Sequence, residues 1–174
     1  MKKIIVAILL GFVLFQLMSK TKASIIPDEA IRLRVLANSN SDFDQKTKYK
    51  VRDVLQKELY DLLQNTRGVE EARKLIQSNM GSFDQKIGEV LKNENIDYGY
   101  QLDYGIHYFP EKEYKGITYD EGNYESLLVT LGEGKGDNWW CVLFPPLCLL
   151  EAEETTKDKV EYKFFLQELI DKYL

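Results

Sequence analysis

Between Tyr98 and Tyr108 every second residue is a tyrosine or an aliphatic. Tyr98, Tyr100, Leu102, Tyr104, Ile106 and Tyr108 are interleaved with Gly99, Gln101, Asp103, Gly105 and His107. Successive side chains of an extended chain point to opposite faces, so this pattern is a strand with one apolar and one polar face. The residues after it continue the theme. Pro110 to Lys112 turns the chain, Tyr114 to Tyr119 can return as a short strand, and Asp120 to Asn123 is turn chemistry again. Leu127, Val129 and Leu131 alternate with Ser126, Leu128 and Thr130, and Trp139 to Phe144 is apolar enough for one more strand. A meander of antiparallel strands is expected over this half.

The preceding half reads differently. Ile31, Leu33, Val35 and Ala37 alternate with Arg32, Arg34, Leu36 and Asn38, which predicts a strand over 31–37. Asn38 to Asp42 is turn and cap chemistry, and Asp42 with Gln45 three residues on fits a helix start near Phe43. Val51, Val54, Leu55, Leu59, Leu62 and Leu63 then make one helical stripe, which Asn65 to Gly68 ends. A second stripe runs from Ala72 to Leu91 and predicts two helices, or one kinked near Gly81, finishing before Asn95. The sum is an α+β domain, with two or three helices on one face of a mostly antiparallel sheet of four to five strands.

The N-terminus is of another kind. Met1, Lys2 and Lys3 lead into fifteen residues, Ile4 to Met18, interrupted only by Gln16 and followed by polar Ser19 to Lys22. That is the layout of a secretory signal, and the run is shorter than the roughly 20 apolar residues of a spanning helix. Residues 1–23 are therefore expected to direct export, with cleavage after Ala23 or retention as an uncleaved anchor. Their removal takes four lysines and no acid, so the formal charge moves from −5 to −9. An exported acidic domain of residues 24–174 repels phosphate backbones and anionic lipid, which argues against nucleic acid or the membrane surface as its ligand. Its length suits one domain. Residues 151–158 form an acidic linker, and Val160, Phe164, Leu166, Leu169, Ile170 and Tyr173 allow a C-terminal helix over 160–173.

Motifs for chemistry are few. Gly132 to Asn138 has the glycine content of a phosphate loop, but Lys135 is followed by Gly136 where Ser or Thr is needed, so a flexible loop between strands is the better reading. His107 is the only histidine, which leaves no multi-histidine metal site. Asp103 shares its strand face, and no serine or cysteine nucleophile can be set beside the pair from spacing alone. An envelope enzyme using His107 with Asp103 or a nearby carboxylate stays as the alternative to a binding role.

Cys141 and Cys148 stand seven positions apart with Pro145 and Pro146 between them. In an oxidising compartment they can form a bridge, which would stabilise by about 2–3 kcal/mol; two buried thiols are the other reading. Around them, Asn138 to Cys148 (NWWCVLFPPLC) packs two tryptophans, a phenylalanine and two prolines into eleven residues. A strand hides only one of two adjacent tryptophans on a given face. Either two core layers exist or one indole faces outward as a partner anchor.

Several of these stretches together resemble one known family. Ile31 to Ser41 (IRLRVLANSNS), Asp44-Gln45 with Lys50 to Asp53, His107 to Pro110, Gly122 to Glu125 and the run Gly132 to Cys148 are similar to the stage II sporulation protein R family. The likeness covers about residues 29–170. It departs at Tyr119 to Glu121, where the family commonly has a Pro-containing turn, and at Leu128, where an arginine is common. The resemblance implies a signalling protein of endospore formers, exported from the forespore into the space between two cells. There it would trigger a membrane-embedded aspartic protease of the mother-cell membrane, which cleaves a sigma-factor precursor. It also implies a chain that is not itself an enzyme, needs no cofactor or small-molecule substrate, and meets membrane only during export or through an uncleaved signal. Trp139, Trp140, Phe144 and Pro145 are the expected anchors for that protein partner, with Asn138 and the 132–137 loop as rim.

Overall fold

The computed structural model describes residues 29–114 and 117–146. The expected export segment (1–23), the expected linker (151–158), the expected C-terminal helix (160–173) and Cys148 lie outside these residues. In chain order the elements are β1 (Ile31–Leu36), α1 (Asp42–Leu63), α2 (Val69–Ser78), α3 (Met80–Asn93), β2 (Tyr100–Phe109), β3 (Lys112–Tyr114), β4 (Ile117–Tyr119), β5 (Gly122–Leu131) and β6 (Asn138–Phe144). The arrangement is α+β with a four-stranded, mostly antiparallel mixed sheet, as the patterning predicts.

Local chemistry sets the helix limits. Ser41, extended at ψ 148°, caps α1 by accepting the Asp44 amide at 3.2 Å. The cap is thus one residue earlier than expected, and Asp42 sits in the first helical turn. Gln45 does not reach back to the cap amide; its side chain donates to the Ser39 carbonyl and to Asn40 Oδ1. The second apolar stripe is interrupted at Asn79, which serves as the end of α2 and the start of α3. Its amide donates to the carbonyls of Leu75 and Ile76 to close α2, and its carbonyl accepts the amides of Ser82 and Phe83 to open α3.

Strand order is where the structure departs from a meander. The four strands run β2-β5-β1-β6, with a separate β3-β4 hairpin. β5 and β6 follow one another in the chain but do not pair, because β1 lies between them, parallel to β5 and antiparallel to β6. Residues 132–137 therefore cross over the end of β1. The fully apolar inward face of β1, Ile31, Leu33 and Val35, all without exposure, is what earns it the central position.

All three helices cover one face of this sheet. Val51, Leu55, Leu59 and Leu63 of α1, Ala72 and Ile76 of α2, and Phe83, Ile87 and Leu91 of α3 pack with Leu33, Val35, Leu127, Val129 and Leu131. Full burial of each Val, Leu, Ile or Phe side chain among them contributes about 1.5–3 kcal/mol, so this layer dominates stability. The opposite face is not bare. Arg32, Phe109, Tyr119, Trp140 and Val142 are all buried there, forming a second and smaller layer that includes β4.

Candidate functional site

The Asn138–Pro145 segment resolves into the two-layer alternative. In the register of β1 with β6, Val35 faces Trp139 and Arg34 faces Trp140, so the adjacent indoles fall on opposite faces. Trp140 is 8% exposed and meets Phe109 and Tyr119 edge to face at 5.5 and 5.1 Å. Phe144 is fully buried in the helix-side core, and Pro145 is buried as well. Of the five expected contact residues, Asn138 and Trp139 keep partial exposure. Trp139 leans on the helical core, with the Arg52 guanidinium 5.3 Å from its ring; Arg52 also lies 4.6 Å from the ring of Tyr49, which is 42% exposed. A half-covered Trp-Arg-Tyr cluster on α1 and β6 is thus what the segment offers to solvent. Arg52 and Tyr49 belong to it through tertiary placement, since they are about ninety residues away in the chain.

The 132–137 loop is pinned to the Ile31–Ser41 stretch. Asn38 Oδ1 accepts the Glu133 amide at 2.9 Å, Asn40 Oδ1 accepts that of Asp137 at 2.6 Å, and the carbonyls of Asn38 and Ala37 accept those of Lys135 and Gly136. Lys48, 1% exposed, donates to the Asp137 carbonyl at 3.1 Å. Burial holds its ammonium below the ordinary lysine range despite Asp137 nearby. The glycines make this approach possible: a Cβ at Gly136 would stand 2.2 Å from the Ser39 carbonyl oxygen, and Gly132 has φ +54°. The segment is thus a loop between strands, as expected, and it is tied to the end of β1 by these bonds. Behind it, buried Asp44 accepts from Asn38, Ser39 and Tyr98. Burial pushes that carboxyl up, but hydrogen bonds from Ser39, Tyr98 and Asn38 outweigh it and hold the group below the usual carboxylate range.

His107 has acquired the neighbour that spacing could not supply. Its Nδ1 is 2.7 Å from Ser126 Oγ and its Nε2 is 2.8 Å from Asp103 Oδ2. Gly105, between Asp103 and His107 on the strand and opposite Ser126 in register, leaves the space in which they meet. The three residue types are those of a hydrolase triad, yet their exposure is inverted. Ser126 has no accessible surface, whereas the Asp103 side chain is 69% exposed. A nucleophile has to reach a substrate carbonyl, and an orienting carboxylate has to be shielded from water. Ser126 Oγ instead faces inward under the imidazole, so the line ties β2 to β5.

The second layer holds one more unusual group. Arg32 is 2% exposed, with its guanidinium carbon 3.3 Å from the Tyr124 ring centroid, 4.9 Å from Trp140 and 5.1 Å from Phe109. Among the described residues its Nε and Nη1 make no hydrogen bond. Burial lowers its pKa from the ordinary arginine value, while Tyr124 works in the other direction. Aromatic faces supply the compensation that a carboxylate would otherwise give. Among the described residues no group of acids, histidines and cysteines is arranged to hold a metal ion.

These features define a small α+β domain in which an N-terminal strand is threaded through the sheet and locked there by a polar clamp. The chain belongs to the stage II sporulation protein R family, whose model matches residues 27–154. It is 42% identical over 146 residues to the protein of Bacillus subtilis (strain 168) named stage II sporulation protein R. That match covers 81% of this chain and 65% of the relative, so the chain spans about two thirds of the length of the curated relative it matches. No solved structure matches it. The clamp residues and the Trp139-Trp140 pair both lie inside the matched segment.

Proposed function

We propose that this sporulation protein is an exported trigger that activates a membrane-embedded aspartic protease in the neighbouring cell membrane, leading to processing of a sigma-factor precursor. In this reading residues 1–23 carry it out of the forespore, and the acidic domain works in the intermembrane space without catalysing a reaction. The observation that carries the reading is the inverted Ser126-His107-Asp103 line: the constellation closest to a catalyst has its nucleophile sealed inside the sheet. A domain of this kind acts by being bound, and a ligand shifts a protease toward its active state only through differential affinity for the two states.

The contact is assigned to Trp139, Arg52 and Tyr49, residue types that dominate binding energy at protein interfaces, with Asn138 at their margin. Phe144 supports this surface from the helix-side core, whereas Trp140 is buried on the other face of the sheet. Co-expression of the chain with the protease and the precursor in a non-sporulating host should yield cleaved precursor; an exported, folded chain that yields none would refute the trigger role. In the same assay Trp139→Ala should lose about tenfold in cleavage at unchanged export, and full activity would remove this surface from the account. Cys141 and Cys148 are proposed to be bridged.

An envelope hydrolase using His107 and Asp103 is the second reading, favoured by their contact with Ser126. His107→Ala separates the two. A trigger keeps most of its cleavage-inducing activity, with some loss of stability from the broken β2-β5 tie, whereas a hydrolase loses all of it.

A further inference from the structure

Strand β2 lies at the edge of the sheet, and it is ten residues long. Among the described residues no strand pairs with its outer side. Long edges of this kind are normally shortened, covered or broken by lysine, proline or a bulge, because their free amides and carbonyls attract other chains. β2 carries no lysine, proline or bulge, its one acidic side chain is Asp103, and among the described residues no strand covers it. Its tyrosines at one end are covered by helices, but Ile106 and Tyr108 on the same face project past the helical layer and are 67% and 54% exposed. Ile106 is the most exposed large apolar side chain described. Retaining it on an open edge has a cost in solubility that the fold does not require.

Charge selects the occupant. From Asp97 to Glu111 the chain contains no lysine or arginine; Asp97, Asp103, Glu111, Asp120 and Glu121 are all exposed along or just beyond the strand, against one exposed lysine among the described residues there, Lys112. A second copy of this chain would bring acids against acids on a domain of net charge −9 after loss of residues 1–23.

We infer that the β2 edge is a second docking surface, which takes up an extended segment of a partner protein carrying alternating apolar and basic residues as an added strand. Main-chain hydrogen bonds to β2 give such a complex its affinity, and side chains that meet Ile106, Tyr108 and the flanking acids give it selectivity. The inference rests on the proposed binding role, and it places a contact at the edge of the sheet opposite to Trp139. A trigger with contacts on both edges can hold two partner segments at once.

The test places a photoreactive amino acid at 106 of the full-length chain, with exposed position 92 on α3 as the control, and maps the adducts by mass spectrometry. Ile106→Lys and Ile106→Thr are scored beside it in the co-expression assay, with circular dichroism to verify the fold. The expected result is an adduct from 106, absent from 92, on an extended segment of the membrane protease with basic and apolar residues. Ile106→Lys should lose about tenfold in precursor cleavage, and Ile106→Thr less. Adducts only to a second copy of this chain, or none at 106 together with wild-type cleavage by a folded Ile106→Lys protein, overturn the inference. If wild type itself induces no cleavage, the trigger reading fails. Crosslinking in sporulating cells then decides the edge separately: an adduct on a basic, extended segment of another protein sustains it, and its absence removes it.

Discussion

Arg32 shows most directly how a single residue's environment differs from what its letter suggests. In the sequence it is one of two polar interruptions of an alternating strand, to be placed in water. In the structure it fills the centre of the smaller layer, stacked against Tyr124, Phe109 and Trp140. Because its Nε and Nη1 lack hydrogen-bond partners among the described residues, an apolar side chain of similar reach gives up little. Arg32→Met should therefore unfold within about 1 kcal/mol of wild type, whereas Arg32→Ala should lose about 3 kcal/mol to the cavity it opens. Urea titrations of the two variants measure both, and a Met variant as unstable as the Ala variant would show that the charge itself holds the layer together. Ser126 makes the same point for chemistry: its pairing with His107 spans nineteen positions and depends on the register of β2 against β5.

The alternation that forces β2 to be a strand is an element-scale signal, and it was legible throughout. What it did not reveal is why tyrosine is preferred there. Each of the four tyrosines donates to a carboxylate on another segment: Tyr98 to Asp44, Tyr100 to Asp84, Tyr104 to Glu125 and Tyr108 to Glu121. Glu125 also receives two bonds from Arg73 of α2. Rings cover the margin of the core while hydroxyls reach the acids at its rim. Burial and the carboxylate together raise the phenols of Tyr98, Tyr100 and Tyr104, with Tyr100 pushed up to about 12. Folded values above the unfolded value of about 10 mean that this contribution is fully present below pH 10 and is lost as pH rises through the folded values. Stability should thus fall steeply above about pH 10, and phenolate absorbance should show these tyrosines ionising only as the fold melts. Early titration of all tyrosines in a still folded protein would contradict the ladder. The helices were legible as apolar stripes, but the choice between two helices and one kinked near Gly81 was made at Asn79, and the cap moved from Asp42 to Ser41.

For the whole molecule, charge and the proposed export belong together, since the acidic domain is the part that would remain on cleavage after Ala23. Protein secreted from a bacterial host should begin at Ser24, as N-terminal sequencing would establish; an intact Met1 would identify a retained anchor. Reductant should lower the unfolding free energy of that material by about 2–3 kcal/mol if Cys141 and Cys148 are bridged. No change would mean that the two thiols are apart. Sequence by itself determined the α+β class, the helical and strand-forming stretches and the family, because periodicity and composition are local properties written along the chain; the division at Asn79 and the small hairpin of β3 and β4 came from the structure. Tertiary structure alone decided that β1 enters between β5 and β6, since a strand pattern states which face is apolar but not which edge it will meet. That insertion explains why the IRLRVLANSNS stretch and the glycine loop occur together: the loop must cross the end of β1, and Asn38 and Asn40 are there to receive it. It also settled the tryptophans. Two sheet faces, each with its own core, accommodate both indoles, so a segment that reads as one aromatic ridge has Trp140 buried and Trp139 half exposed.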